Sequence, residues 1–127
     1  MASIKIQVGD EVFDATLDEK KAPKTVQKIL EALPIEAEVQ TWGEEIYFEI
    51  PVVMGEENAV KVVSVGDLGY WPAGHCFCMF FGKTPMSKNE KEVIPASAVN
   101  PIGRVENPKG LKRHRDGEAI RITAADR

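Results

Sequence analysis

The sequence predicts a mainly β protein, a closed eight-stranded barrel with two short helices flanking it. Three observations carry this. Alternation of apolar and polar residues recurs along most of the chain, which is the signature of half-buried strands. Only two segments have helical features, too few to supply the crossovers of a parallel α/β sheet. So many short strands in 127 residues must also dispose of their edges, and barrel closure does that. The length fits a single domain over residues 1–127.

The elements follow in order. Ile4, Ile6 and Val8 alternate with Lys5 and Gln7, and Gly9-Asp10 suits a two-residue type II′ turn with Gly first. A second strand places Phe13, Ala15 and Leu17 on one face and Asp14 and Thr16 on the other. The period then changes. Val26, Ile29, Leu30 and Leu33 form a helical stripe, with Pro23 at its start and Pro34 at its end. Alternation returns in Ile35, Ala37 and Val39 and again in Ile46, Phe48 and Ile50, joined by the turn Thr41-Trp42-Gly43-Glu44.

Val60 to Val65 reads as another strand ending at Gly66-Asp67, and Tyr70-Trp71-Pro72-Ala73-Gly74 as an aromatic turn. Cys76 to Phe81 is an uninterrupted apolar run of strand length, expected to be buried on both faces. Residues 82–92 are polar and form the longest loop. Strand character resumes from Ala98 to Val105, broken by Pro101. Asn107-Pro108 is suited to cap a short helix over 108–114, and Ile120 and Ile122 make the final strand.

Composition narrows the function classes. No apolar stretch is long enough to span a membrane, and Met1-Ala2-Ser3-Ile4-Lys5 runs into strand pattern without a signal-like apolar core. Two cysteines do not make a disulfide scaffold, so a reducing cytoplasm is the expected compartment. The net charge is −4, which gives no global attraction to nucleic acid. Charge is uneven: residues 1–60 carry 13 acidic and 5 basic side chains, residues 61–127 carry 7 and 11.

Several segments, in order, resemble the cyclophilins. Ala22-Pro23-Lys24-Thr25-Val26 resembles their V-P-K-T-A, and Ile46 to Pro51 sits where they have F-H-R-I-I-P. Gly74 to Thr84 is similar to G-S-Q-F-F-I-C-T-A-K-T, Val99 to Val105 to V-V-F-G-K-V, and Ile122 to Asp126 to I-T-I-A-D. A closer likeness is to the short cyclophilin-like family of bacteria and archaea, which has no assigned function. Its hallmark resembles Gly66-Asp67 through Tyr70-Trp71-Pro72, followed by Phe80-Phe81-Gly82-Lys83-Thr84-Pro85. The resemblance implies an eight-stranded closed barrel with two flanking helices.

The departures bear on catalysis. The arginine of F-H-R, whose guanidinium holds the twisted prolyl peptide, is replaced by Phe48 or Glu49, and the first arginine in the chain is Arg104. The F-M-x-Q-G-G-D segment has no counterpart in Val52 to Glu57, and Cys76 and Cys78 stand where S-Q-F-F has its glutamine and second phenylalanine. The resemblance thus implies a retained framework without prolyl isomerase chemistry; the alternative is a weak isomerase working by shape and desolvation.

Candidate residues follow from this. Phe48, Tyr70 and Trp71, with Cys76 and Cys78, are expected to line a groove for a small molecule or a peptide. Trp71 either walls that pocket or plugs one barrel end. On a strand Cys76 and Cys78 point to one face, with Cα atoms about 6.6 Å apart. With His75 on the opposite face and His114 the only other histidine, no third metal ligand is evident, so buried apolar cysteines and no metal or cofactor are expected. Glu45 and Glu49 flank Tyr47 and read as a solvated strand face, with an acid/base pair as the sharper alternative. Lys109, Lys112, Arg113, His114 and Arg115 form a basic cluster without interleaved aromatics, which reads as solvated rather than as a nucleic-acid surface.

Overall fold

The computed structural model describes residues 1–125; Asp126, the last residue of the segment compared with I-T-I-A-D, lies outside them. The strands are β1 (Ala2–Val8), β2 (Glu11–Leu17), β3 (Ile35–Glu38), β4 (Gln40–Thr41), β5 (Glu45–Glu49), β6 (Asp67–Trp71), β7 (Cys76–Phe80), β8 (Asn100–Val105) and β9 (Ala119–Ala124). All pairings are antiparallel, in the order β3-β9-β1-β2-β8-β6-β7-β5-β4.

Nine strands reduce to the eight expected once the ends of this order are compared. β3 and β4 are separated only by Val39. The first half of the segment pairs with β9 and the second with β5, so one bent strand joins both ends of the sheet and nearly closes the barrel. At the bend Val39 leaves the ladder and exchanges backbone hydrogen bonds with Gly117 and Glu118, both 2.9 Å.

The β1–β2 hairpin runs in register from Ala2↔Leu17 to Val8↔Glu11, and Gly9 in the turn has φ +59°. Its inward residues Ile4, Ile6, Val8, Phe13, Ala15 and Leu17 meet Ile46, Phe48, Leu68, Tyr70, Phe77 and Met79 in one interior. Each large apolar side chain removed from water contributes about 1.5–3 kcal/mol.

The helix α1 (Pro23–Ala32) packs Val26 and Ile29 onto this core. Its N-cap residue, Ala22, offers no side-chain acceptor. Glu57 supplies one from 32 residues away: its carboxylate accepts from the Lys24 and Thr25 amides and from Thr25 Oγ1. The buried Asn100 side chain holds that loop, accepting from Glu57 N–H and donating to Thr25 Oγ1 and Gly55 O.

Three expectations need correction. Val60 to Val65 makes only isolated bridges, Val60↔Val99 and Val63↔Val93, and the strand lies later, at Asp67–Trp71. Leu68 and Tyr70 provide the inward alternation, whereas the valines cover the outside of the sheet. Tyr70 and Trp71 therefore end a strand instead of forming a turn. The last helix is a 3-10 helix, Pro108–Arg113, and Asn107 before it adopts a left-handed conformation (φ 56°) with no side-chain capping bond. Among the described residues no helix is long and apolar enough to cross a membrane.

Candidate functional site

β7 is buried on both faces, as its unbroken apolar run predicts. Phe77 and Met79 point into the barrel, while Cys76, Cys78 and Phe80 point out into a second, smaller core. Register decides what stands beside them. Glu45 pairs with Phe80, Tyr47 with Cys78 and Glu49 with Cys76 on one side; Gly69 pairs with Cys78 and Trp71 with Cys76 on the other. The outer face of the sheet thus carries Glu45, Tyr47 and Trp71 around a floor of thiols and the Phe80 ring.

Two irregular segments, 60–66 and 93–99, roof this face, linked by the Val60↔Val99 and Val63↔Val93 bridges. Val99 can lie down on β6 because Gly69 has no side chain; an added Cβ would sit 2.9 Å from Val99 Cγ2. Trp71 Nε1 donates to Ser97 Oγ, and Thr84 Oγ1 donates to Ile94 O, tying the 84–97 stretch down.

Between roof and sheet lies a cleft of about 210 Å³, lined by Trp42, Glu45, Tyr47, Trp71, Pro95, Ala96 and Val99. Its walls are mainly apolar and aromatic, with Glu45 as the one carboxyl, a residue only 6% exposed. Burial pushes the Glu45 carboxyl up to about 7, only partly offset by the neighbouring Cys78 thiol. The carboxyl is therefore poised between its neutral and charged forms near neutral pH. Burial, with Glu49 and Glu45 nearby, raises the Cys76 thiol to about 11, and burial together with Glu45 raises Cys78 well above its ordinary value. Both thiols stay protonated at neutral pH, poor both as nucleophiles and as metal ligands.

The structure divides the five residues expected to line one groove. Trp71 is half-buried on the cleft wall, outside the barrel, so it does not plug a barrel end. Cys76 and Cys78 lie beneath the cleft. Phe48 and Tyr70 are on the opposite face of the sheet, inside the barrel. Phe48 stacks on Phe77 with ring centroids 5.4 Å apart, and Tyr70 Oη donates to Val52 O and accepts from the Met54 amide. Residue parity accounts for the split: Phe48 lies between outward Tyr47 and Glu49, and Tyr70 immediately precedes outward Trp71.

Besides Trp71, the cleft is built from residues not expected in the groove: Trp42, Glu45, Tyr47, Pro95, Ala96 and Val99. The signal was present, since Glu45 and Tyr47 share one parity directly after the turn that carries Trp42. Glu45 and Glu49 are not equivalent, one buried in the cleft and the other exposed.

The basic cluster is largely engaged elsewhere. Lys112 pairs with Glu44 at 3.4 Å and Arg113 with Glu11. His114 lies between two carboxylates, its Nε2 2.8 Å from Glu11 and its Nδ1 2.9 Å from Glu118. These contacts bind the 3-10 helix to the β1–β2 hairpin and to the turn before β5. Among the described residues no three His, Cys, Asp or Glu side chains converge as a metal site.

The whole-chain likeness agrees with this architecture. The solution structure of a hypothetical protein from Archaeoglobus fulgidus is 43% identical and superposes with a TM-score of 0.83, covering 98% of this chain and 95% of the other. No curated protein matches the chain. The family model described as cyclophilin-like matches residues 2–123. A match of that extent, on a nearly closed antiparallel barrel of this topology, makes the chain a member of the cyclophilin-like family.

Proposed function

We propose that this protein binds a small molecule, or a single side chain of a peptide, in the cleft beside Trp71, and that it does so without prolyl isomerase chemistry. The observation that carries this reading is the cleft itself: three aromatic residues and one buried carboxyl gathered outside the barrel. Aromatic walls supply apolar contact area, and a single polar group fixes orientation. At about 210 Å³ the space is below the usual range of drug-sized pockets, so it suits one compact group. Cys76 and Cys78 act here as the floor, and Phe48 and Tyr70 stiffen the same wall from behind.

The case against isomerisation rests on donors. An isomerase must stabilise a twisted amide whose rotation barrier is about 20 kcal/mol, and each preorganised donor at such a site is worth about 3 kcal/mol. No arginine is among the residues lining the cleft. Arg104 is held by Asp67 and by Val65 O, Arg113 by Glu11 and Arg121 by Glu36.

Two measurements on the purified protein test the two halves. Acceleration of X–Pro isomerisation in a short peptide should be negligible beside an equal concentration of a standard cyclophilin; a kcat/KM within tenfold of that standard would overturn the non-catalytic half. Amide and indole NMR shifts on titration with small ring-bearing fragments should be confined to Trp42, Tyr47, Trp71 and the 95–99 segment. Shifts absent there across the whole set would overturn the binding half.

A further inference from the structure

We propose that the cleft receives a free, small organic ammonium ion, its cationic head among Trp42, Tyr47 and Trp71 and its charge met by the Glu45 carboxylate. The inference rests on the cleft being the binding site and names what enters it.

Charge complementarity is the first argument. Glu45 has no cation within ion-pair distance among the described residues. Its neighbour Glu44 turns the other way, accepting from the Lys83 amide and pairing with Lys112. A carboxylate in an apolar wall without a counter-ion is costly, and the group meets that cost by keeping its proton. A bound cation removes the cost directly.

The lining is the second argument. Aromatic rings attract a cation through their quadrupoles, most strongly when water is excluded, and an alkylammonium is far easier to desolvate than a metal ion. A neutral apolar ligand would use the rings but leave Glu45 unanswered. An anion would be repelled by it.

Size makes the occupant compact: about 210 Å³ holds one ammonium head group with its alkyl substituents and little more, which a free small molecule fills on its own.

A pH signature follows. The titratable groups facing Glu45 are the Cys78 and Cys76 thiols on β7 and the Tyr47 phenol on its own strand, with Asp116 acting on Tyr47 from beyond the barrel bend. The roof segment 93–99 carries no titratable side chain. With both thiols and the phenol raised, Glu45 alone titrates near neutrality, at about 7. The cation needs the carboxylate, so affinity falls toward tenfold per pH unit below that value and is level above it.

The test uses the chain's only two tryptophans, Trp42 and Trp71, both in the cleft, as fluorescent reporters. Choline and its uncharged isostere 3,3-dimethylbutan-1-ol are titrated into the wild type and into Glu45→Gln at pH 8 and pH 5.5, and a trimethyllysine peptide into the wild type at pH 8. The expected result is at least tenfold tighter binding of choline than of the isostere at pH 8. That preference should collapse at pH 5.5 and in Glu45→Gln, whose folding is checked by its circular dichroism. Equal affinities for choline and the isostere would overturn the cation assignment and leave the binding reading standing. A tenfold preference for the trimethyllysine peptide over choline would overturn the free-ligand assignment. Silence of both tryptophans to every probe, with fragment-induced NMR shifts also absent, would overturn the cleft as a site.

Discussion

Replacing Glu45 with Gln keeps the shape of the side chain and removes its ionisation, so the variant isolates the energetic consequence of a carboxyl buried at the base of an apolar cleft. The unfolded chain releases this proton near 4.5 and the native protein near 7. Between those values the native state holds more protons than the unfolded state, so stability declines as pH rises, and the decline is complete above the native value. At about 1.4 kcal/mol per pKa unit the full loss is about 3 kcal/mol. The Glu45 carboxyl has no ion pair to lose among the described residues, so little is forfeited in exchange. Glu45→Gln should therefore be more stable than the wild type by about 3 kcal/mol at pH 8, on the order of 10 °C in Tm, and nearly equal to it at pH 4.5. Urea unfolding of both proteins at pH 4.5 and pH 8 gives the comparison, and the difference between them cancels the contribution of His114, which runs in the same direction. Parallel stability curves at the two pH values would refute the reasoning, because they would mean that the carboxyl is as well hydrated in the native protein as in the unfolded chain.

Three further outcomes are expected. With Cys76 raised from 9.0 to about 11, its thiolate at pH 7.5 is scarcer by about 100-fold than in an ordinary cysteine, and Cys78 is scarcer still, so reaction of the native thiols with an aromatic disulfide should be slower by about two orders of magnitude than in urea. Glu57→Ala should cost about 1–2 kcal/mol and speed hydrogen exchange in the first turn of α1, because the Lys24 and Thr25 amides lose their acceptor; unchanged protection would remove Glu57 from the capping role. Burial opposes the charge on His114, but its bonds to Glu118 and Glu11 outweigh this and raise its pKa, so its contribution is full below 6.5 and fades as pH rises through the native value; in His114→Gln that slope in chemical unfolding should flatten.

Much of the barrel could be read directly from residue parity. The hairpin, α1 and β7 stand where the alternation, the helical stripe and the apolar run place them, because each of those signals is local. Val60 to Val65 misleads because β-branched residues favour any extended, half-buried surface, and the outer roof is one without being a full ladder. Glu45 misleads in the opposite sense. Its alternation with Ile46 marks an outward position, but outward here means beneath residues 95–99, about fifty positions along the chain. The cap from Glu57 is equally invisible, since a helix that starts at Ala22-Pro23 gives no hint that its acceptor is a distant glutamate. Parity alone separates Phe48 and Tyr70 from Trp71, because strand position and not aromatic character decides which face a side chain takes.

A strand clad on both sides gives the molecule two layers that differ in how firmly they are held. The barrel wall is locked by ladders on either side of β7, whereas the roof segments meet each other through two isolated bridges and reach the body through scattered single bonds: Gly66 N–H to Phe80 O, Val105 N–H to Gly66 O, the Arg104 guanidinium to Val65 O and the Trp71 indole to Ser97 Oγ. Single bonds of this kind hold fewer amides per residue than a ladder does, so the outer layer is expected to exchange its amide protons before the barrel wall. Of the roof it is Pro95, Ala96 and Val99 that border the cleft, so substitutions there reshape it without touching the inner core.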